Sequence, residues 1–236
     1  MRQGVVELSI PDQEVVAPKV LRRLGHPPPL ARDDRVLLEL QRVLEQARPQ
    51  ICPRSLYRMT PLLSWESGVL AGRDIRIRSA KWAALMGRLV KPEILCCFVV
   101  TLGVGLDRMI NHVQSDSLFR AYILDAFGAV VAEHLAEQME QRLSELLGNQ
   151  GYEITTRLSP GYCDWELREG QEALFRFLQP EVVGVHCTSA GTMTPEKSVS
   201  AALVGARATP VKSPCLSCSA ADCPYRRDHR TNKKEP

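Results

Sequence analysis

Residues 157–205 read RLSPGYCDWELREGQEALFRFLQPEVVGVHCTSAGTMTPEKSVSAALVG. Arg157 leads into Ser159-Pro160-Gly161-Tyr162, a turn in which proline fixes one backbone angle and glycine frees the next. Arginine offers a planar fork of donors that suits a carboxylate and stays charged at any working pH. Gly161 lets a ligand approach the main chain, and Tyr162 adds a flat apolar face with a hydrogen-bonding tip. Beyond Cys163-Asp164-Trp165, apolar residues at Ala173, Leu174, Phe177 and Leu178 repeat at helical spacing. Val182–Thr188 then reads as a strand, the polar cluster Thr188–Ser200 follows, and Val199–Val204 reads as a second strand that pairs with the first.

Working outward, Ile154–Arg157 is expected as a short strand that delivers Arg157 to its turn. Before it, Ile123, Phe127, Val131, Leu135, Met139, Leu143 and Leu147 recur every fourth residue, which predicts a long helix over about 117–147 with a buried stripe. His134 on that helix reads as a half-buried polar residue. ILCCFVVTL, residues 94–102, is a continuous apolar run rich in β-branched residues and predicts a buried strand. Cys96 and Cys97 inside it point to opposite faces, so they cannot share a metal or a disulfide. Gly103-Val104-Gly105 ends the strand at the start of another helix and could present amides to a ligand.

Nearer the start, Val5–Ile10 suggests an edge strand and Gln13–Leu24 a helix. His26-Pro27-Pro28-Pro29 is a stiff connector, and Asp33-Asp34 opens an amphipathic helix through Ala47. Strands are expected at Tyr57–Leu63 and Gly72–Ile77, and Ser79 caps a helix through Leu89. The pattern is an α+β fold, a helical amino-terminal half packed on a twisted, mainly antiparallel sheet. Residues 1–206 form one domain that includes the strand, helix and connector of 1–30, and residues 207–236 form a tail.

Of 236 residues, 44% are hydrophobic and 24% charged, the balance of an ordinary soluble globular protein. No apolar run approaches the ~20 residues of a membrane helix. The amino terminus MRQGVVELSIPDQ lacks a signal pattern, so the expected compartment is the cytoplasm. The net charge is +3, and residues 224–236 account for it with five Lys/Arg against Asp228 and Glu235. The rest is neutral overall and builds no basic groove with interleaved aromatics, which argues against a nucleic-acid binder.

Eight cysteines in such a chain favour reduced thiols, metal ligands or redox chemistry over structural disulfides. Cys215 and Cys218 form a CxxC, and Cys223 follows four residues later. Ligands three apart can share one metal edge, and a closing Cys-Pro is a form that iron–sulfur sites take. An Fe–S cluster, a zinc clip and free thiols all remain open readings. A fourth ligand could come from Cys163, Cys187, Cys52 or His229, or the fourth position could be open and functional.

Several of these elements together resemble the activation domain of vitamin B12-dependent methionine synthase. They are Arg157, Ser159-Pro160-Gly161-Tyr162, the helix at 171–178, Gly184-Val185, Thr188-Ser189, Met193-Thr194-Pro195 and Lys197-Ser198-Val199-Ser200, in the family's order. TLGVGLDRMI at 101–110 and LDAFG at 124–128 also resemble stand-alone members. Ala201 departs from a glycine common in the family, and Cys187 from an aliphatic strand.

The resemblance implies an S-adenosylmethionine (AdoMet) site that supports reductive methylation of cob(II)alamin. Cobalamin would be carried by a partner, since this chain has no Asp-x-His-x-x-Gly motif. The implied partners are a corrinoid-binding methyltransferase subunit and an electron donor of flavodoxin or ferredoxin type. On this reading Arg157 holds the AdoMet carboxylate, and backbone at Ser159 and Gly161 meets the ligand with Tyr162 against it. Asp164, Thr188 and Ser189 supply further polar contacts, and Lys197 and Ser198 face the corrinoid or the partner. Two alternatives stand beside it: a redox activator acting through the tail cysteines, and a docking module without AdoMet affinity.

Overall fold

Strand β5, Val90–Thr101, carries the most apolar run of the chain and lies inside the main sheet. The structure, a computed structural model, describes residues 2–25 and 35–210. The fold is α+β. The other strands are β1 (Arg2–Gly4), β2 (Arg54–Ser64), β3 (Val69–Gly72), β4 (Arg76–Arg78), β6 (Glu153–Ile154), β7 (His186–Cys187), β8 (Met193–Thr194) and β9 (Ser198–Ala208). The main sheet runs β4-β3-β2-β5-β9-β6, with β1 beside β2, and every pairing is antiparallel.

Side chains of β5 and β9 alternate between two cores. On the first face Cys96, Phe98, Val100, Ala201 and Leu203 pack under α1 (Gln13–Arg23), α2 (Arg35–Ala47), α4 (Val104–Val113) and α5 (Leu118–Gly148). On the second, Cys97, Val99, Ala202 and Val204 pack under α3 (Ala80–Met86) and α6 (Leu167–Leu178). A strand buried on both faces must be apolar throughout, as the 94–102 run is. All seven residues of the expected α5 stripe are buried. Ser79 and Ser117 cap α3 and α5, their hydroxyls accepting from Trp82 N and Arg120 N.

Several boundaries differ from the sequence reading. The first strand is Arg2–Gly4 rather than Val5–Ile10. The Ser55 hydroxyl takes both main-chain groups of Val6, at 2.8 and 2.7 Å, so that a side chain substitutes for a neighbouring strand. Gly72–Ile77 is not one strand. The chain turns there, with Gly72 N donating to Ile75 O at 2.8 Å, and separates β3 from β4.

Val182–Thr188 is not a strand either. Pro180 starts a 3-10 turn through Val183, Gly184 follows at φ +77°, and only His186–Cys187 pairs, with β8. Consequently β9 pairs with β5 and β6 instead of with that segment. Gly103-Val104-Gly105 serves packing, because a Cβ on Gly105 would stand 2.2 Å from the Gln50 carbonyl oxygen.

The tail cysteines Cys215, Cys218 and Cys223 lie outside the described residues, as do the connector and Asp33-Asp34. Among the described residues no helix is long and apolar enough to cross a membrane.

Candidate functional site

Among the described residues strand β9 has an open stretch. At its carboxyl end β6 pairs with it through Glu153–Ala206 and Ile154–Gly205. Farther back Leu158 and Ala202 exchange both main-chain hydrogen bonds, at 2.8 and 2.9 Å. Main-chain groups of a strand alternate sides, so Ser200 and Ser198 direct theirs the same way as Ala202. The chain beside β9 has by then turned away at Ser159-Pro160. The open edge borders a cleft of about 690 Å³, within the usual size of small-molecule sites.

The turn that opens this cleft follows its sequence closely. Gly161 sits at φ +89°, a conformation that disfavours side chains. Its N–H donates to Trp165 O at 2.8 Å, while Tyr162 N donates back to Ser159 O at 3.2 Å. Trp165 is buried behind the turn, which leaves Ser159, Pro160 and Tyr162 on the cleft wall. The wall also takes Leu167 and Gln171 from α6, Glu133 from α5, the loop Thr188–Thr194, and Glu196–Ser200. Since α5 and α6 cover opposite faces of the sheet, the cleft wraps around the β9 edge between the two cores.

Five of the nine expected binding residues line it: Ser159, Tyr162, Thr188, Lys197 and Ser198. The Thr188 and Thr192 hydroxyls bond to each other at 2.6 Å and brace the loop. Lys197 Nζ donates to Asp125 Oδ1 at 2.5 Å, and the Ser198 hydroxyl donates to Thr101 or to the Pro195 carbonyl.

The other four lie outside the lining. Gly161 shapes the turn, and Ser189 is exposed on the loop. Asp164 faces α3 instead, accepting from Ser79 Oγ at 2.6 Å and from Lys81 N at 3.0 Å. Burial pushes its pKa up, but the Ser79 hydroxyl and the amides around Lys81 outweigh this and hold it below its ordinary value.

Arg157 stands directly behind the wall. Its side chain is 2% exposed. Nη1 donates to Glu140 at 2.6 Å, the same carboxylate accepts from Arg157 N at 3.0 Å, and Nη2 bonds Glu133. Glu140 therefore fixes the entry to the turn, while Glu133, half-exposed, carries its charge at the cleft rim.

Sequence reasoning missed Glu133 and Gln171. Both sit on amphipathic helices, where a polar residue reads as a solvated face. The seven-residue spacing of Glu133 and Glu140, two turns on one side of α5, was the available signal. Gln171 is 4% exposed, and its Oε1 accepts from the Ser200 hydroxyl at 2.9 Å. Ala201, the departure from glycine, directs its methyl into the first core and does not line the cleft. Cys187 is partly buried in the β7–β8 hairpin, and burial raises its thiol pKa. No three His, Cys, Asp or Glu side chains form a metal-binding group among the described residues.

The chain matches the family model described as vitamin B12 dependent methionine synthase, activation domain, over residues 87–210, more than half its length. No curated protein matches the sequence. Among solved structures it is similar to the crystal structure of the MetH reactivation domain bound to AdoHcy, with a TM-score of 0.62 and 17% identity. That match covers 90% of this chain and 80% of the other, and at this identity it speaks for the fold.

Proposed function

The chain belongs to the family of vitamin B12-dependent methionine synthase activation domains, and from that membership we propose that it is a reactivation module for a corrinoid-dependent methyltransferase. In this role it binds AdoMet in the β9-edge cleft and orients the sulfonium methyl toward cobalamin on a partner protein. One electron from a flavodoxin- or ferredoxin-type donor, with the methyl group, returns the cofactor to its methylated state and releases S-adenosylhomocysteine (AdoHcy). The cofactor carries the hard chemistry; this chain contributes binding and orientation.

The observation that carries the reading is the meeting of Ser159-Pro160 and Tyr162 with Lys197–Ser200 around one ligand-sized cleft. Its charge supports the same ligand. Lys197 is paired with Asp125, while Glu133 and Glu140 share the single guanidinium of Arg157 and Glu196 adds a further carboxylate, so the surroundings of the cleft are net acidic, which complements a sulfonium and an ammonium. The ammonium of AdoMet is assigned to the half-exposed Glu133, with Arg157 behind it as the residue that positions that carboxylate. Tyr162 and Leu167 offer apolar surface to the rest. Lys197 and Ser198 stand where the ligand would meet a partner.

Calorimetric titration of AdoMet tests this reading, with Glu133→Gln as the variant. Saturable binding, weakened about tenfold or more in the variant, is expected, since tenfold corresponds to about 1.4 kcal/mol. Absence of wild-type binding up to millimolar ligand overturns it.

A further inference from the structure

Gln171 has an unassigned donor. Its side chain is almost wholly buried, yet it lines the cleft. The Ser200 hydroxyl donates to Oε1 at 2.9 Å, which fixes the carboxamide and turns Nε2 away from β9. No hydrogen bond from Nε2 is found among the described residues, and since Gln171 lines the cleft, the cleft is where a partner for it would stand. A primary amide held in this way costs stability unless a ligand or water accepts from it.

On the α6 side of the sheet the cleft offers apolar surface from Pro160, Tyr162, Leu167 and Met193, beside the hydroxyls of Ser159 and Ser200. The charged groups Glu133, Glu196 and Lys197 come from α5 and the entry to β9. A flat, uncharged heteroaromatic ring fits the Gln171 end, and its ring nitrogens are acceptors.

We infer that Gln171 Nε2 donates to a ring nitrogen of the bound nucleobase, with Ser200 as the positioning residue that aims the amide. This makes Gln171 a determinant of specificity for the adenine end, a role that rests on the AdoMet reading of the cleft. The ring nitrogen is read by the amide, and the flat faces of the base lie against Tyr162 and the aliphatic wall.

The test is a binding cycle between protein and ligand, using AdoHcy and its 1-, 3- and 7-deaza analogues with wild type, Gln171→Leu, Gln171→Glu and Ser200→Ala. On wild type, one deaza analogue is expected to bind about tenfold more weakly than AdoHcy, the size of one buried hydrogen bond. On Gln171→Leu that penalty disappears, because the same bond is already lost. Ser200→Ala weakens AdoHcy binding on its own but not in the Gln171→Leu background, which a merely structural serine would not do.

Penalties that add between analogue and variant overturn the inference. So does Gln171→Glu binding as tightly as wild type, which would mean that an acceptor faces the cleft. Urea midpoints for each variant separate loss of binding from loss of folding. If wild type binds neither AdoMet nor AdoHcy, the AdoMet reading itself falls; if it binds and the cycle is additive, only the role of Gln171 does.

Discussion

Arg157 illustrates how one side chain can anchor a fold and border a site. Its guanidinium is buried between Glu133 and Glu140, and removing one partner of a buried pair leaves the other uncompensated. Arg157→Met should therefore lower stability by about 3–5 kcal/mol, read as a fall in urea midpoint with an unchanged slope. That makes it a poor control for binding. Glu133 is far more exposed, and Glu140 still compensates the guanidinium when Glu133 is removed, so Glu133→Gln should lower the midpoint much less than Arg157→Met while weakening AdoMet. A midpoint that falls equally in both variants would remove the distinction between anchor and ligand-facing charge.

Asp164 gives a pH prediction at the same scale. Its folded pKa is held below the ordinary value, burial opposing and the Ser79 hydroxyl and helix amides prevailing. A depressed carboxylate contributes stability above its unfolded pKa and loses that contribution as pH falls through the folded one. The wild type should thus lose more stability than Asp164→Asn on acidification below about pH 4. Equal losses in urea melts at pH 6 and pH 3 would count against the cap.

At the scale of elements, β5 shows why much of the fold is legible in the sequence. Its run of apolar residues demands cover on both faces, and alternation places Cys96 and Cys97 in different cores. Burial drives both thiol pKa values upward, and thiolate is the reactive form. Brief iodoacetamide treatment of the native protein should label Cys52 and Cys163, both exposed, and spare Cys96 and Cys97, as peptide mass spectrometry would report. Labelling of the pair before unfolding would contradict the two-core arrangement.

Helices α5 and α6 were legible for a similar reason, since their stripes repeat over many turns. What misled was short-range chemistry. Val182–Thr188 has strand composition, yet Pro180 and the left-handed Gly184 bend it into a 3-10 turn. The partner of β9 was unreadable because strand pairing is a long-range choice: β9, apolar on both faces like β5, lies beside β5 between the two helical layers. Gly105 looked like a ligand-facing glycine and instead lets α4 lie against the Gln50 carbonyl. Gly105→Ala would force that contact apart and should cost about 1–3 kcal/mol without moving AdoMet affinity. A stable variant with impaired binding would restore the ligand-facing reading.

The whole molecule places its cleft where the two cores meet. Each core covers one face of the sheet, and at the open β9 edge α5 and α6 come to one cavity. A ligand seated there touches both halves and fills main-chain positions that no strand among the described residues occupies. Ligand that binds the folded state alone adds stability by mass action, about 2.7 kcal/mol at a hundredfold excess over Kd. Part of that gain should appear locally, because the Ser198 and Ser200 amides lie at an edge and not in a ladder.

Hydrogen exchange with and without AdoMet distinguishes this cleft from the groove between β3–β4 and the outer side of α6, about 610 Å³ and lined by Arg73, Arg76 and Arg176. The two share α6 as a wall but use different sides of it. Slowed exchange at 159–171 and 196–200, with 69–78 unchanged, is expected if AdoMet lies along β9. Protection confined to 69–78 would move the ligand to this second groove, where Asp74, Glu169 and Glu172 stand among the three arginines and balance their charge, and the argument from an acidic cleft would fall with it.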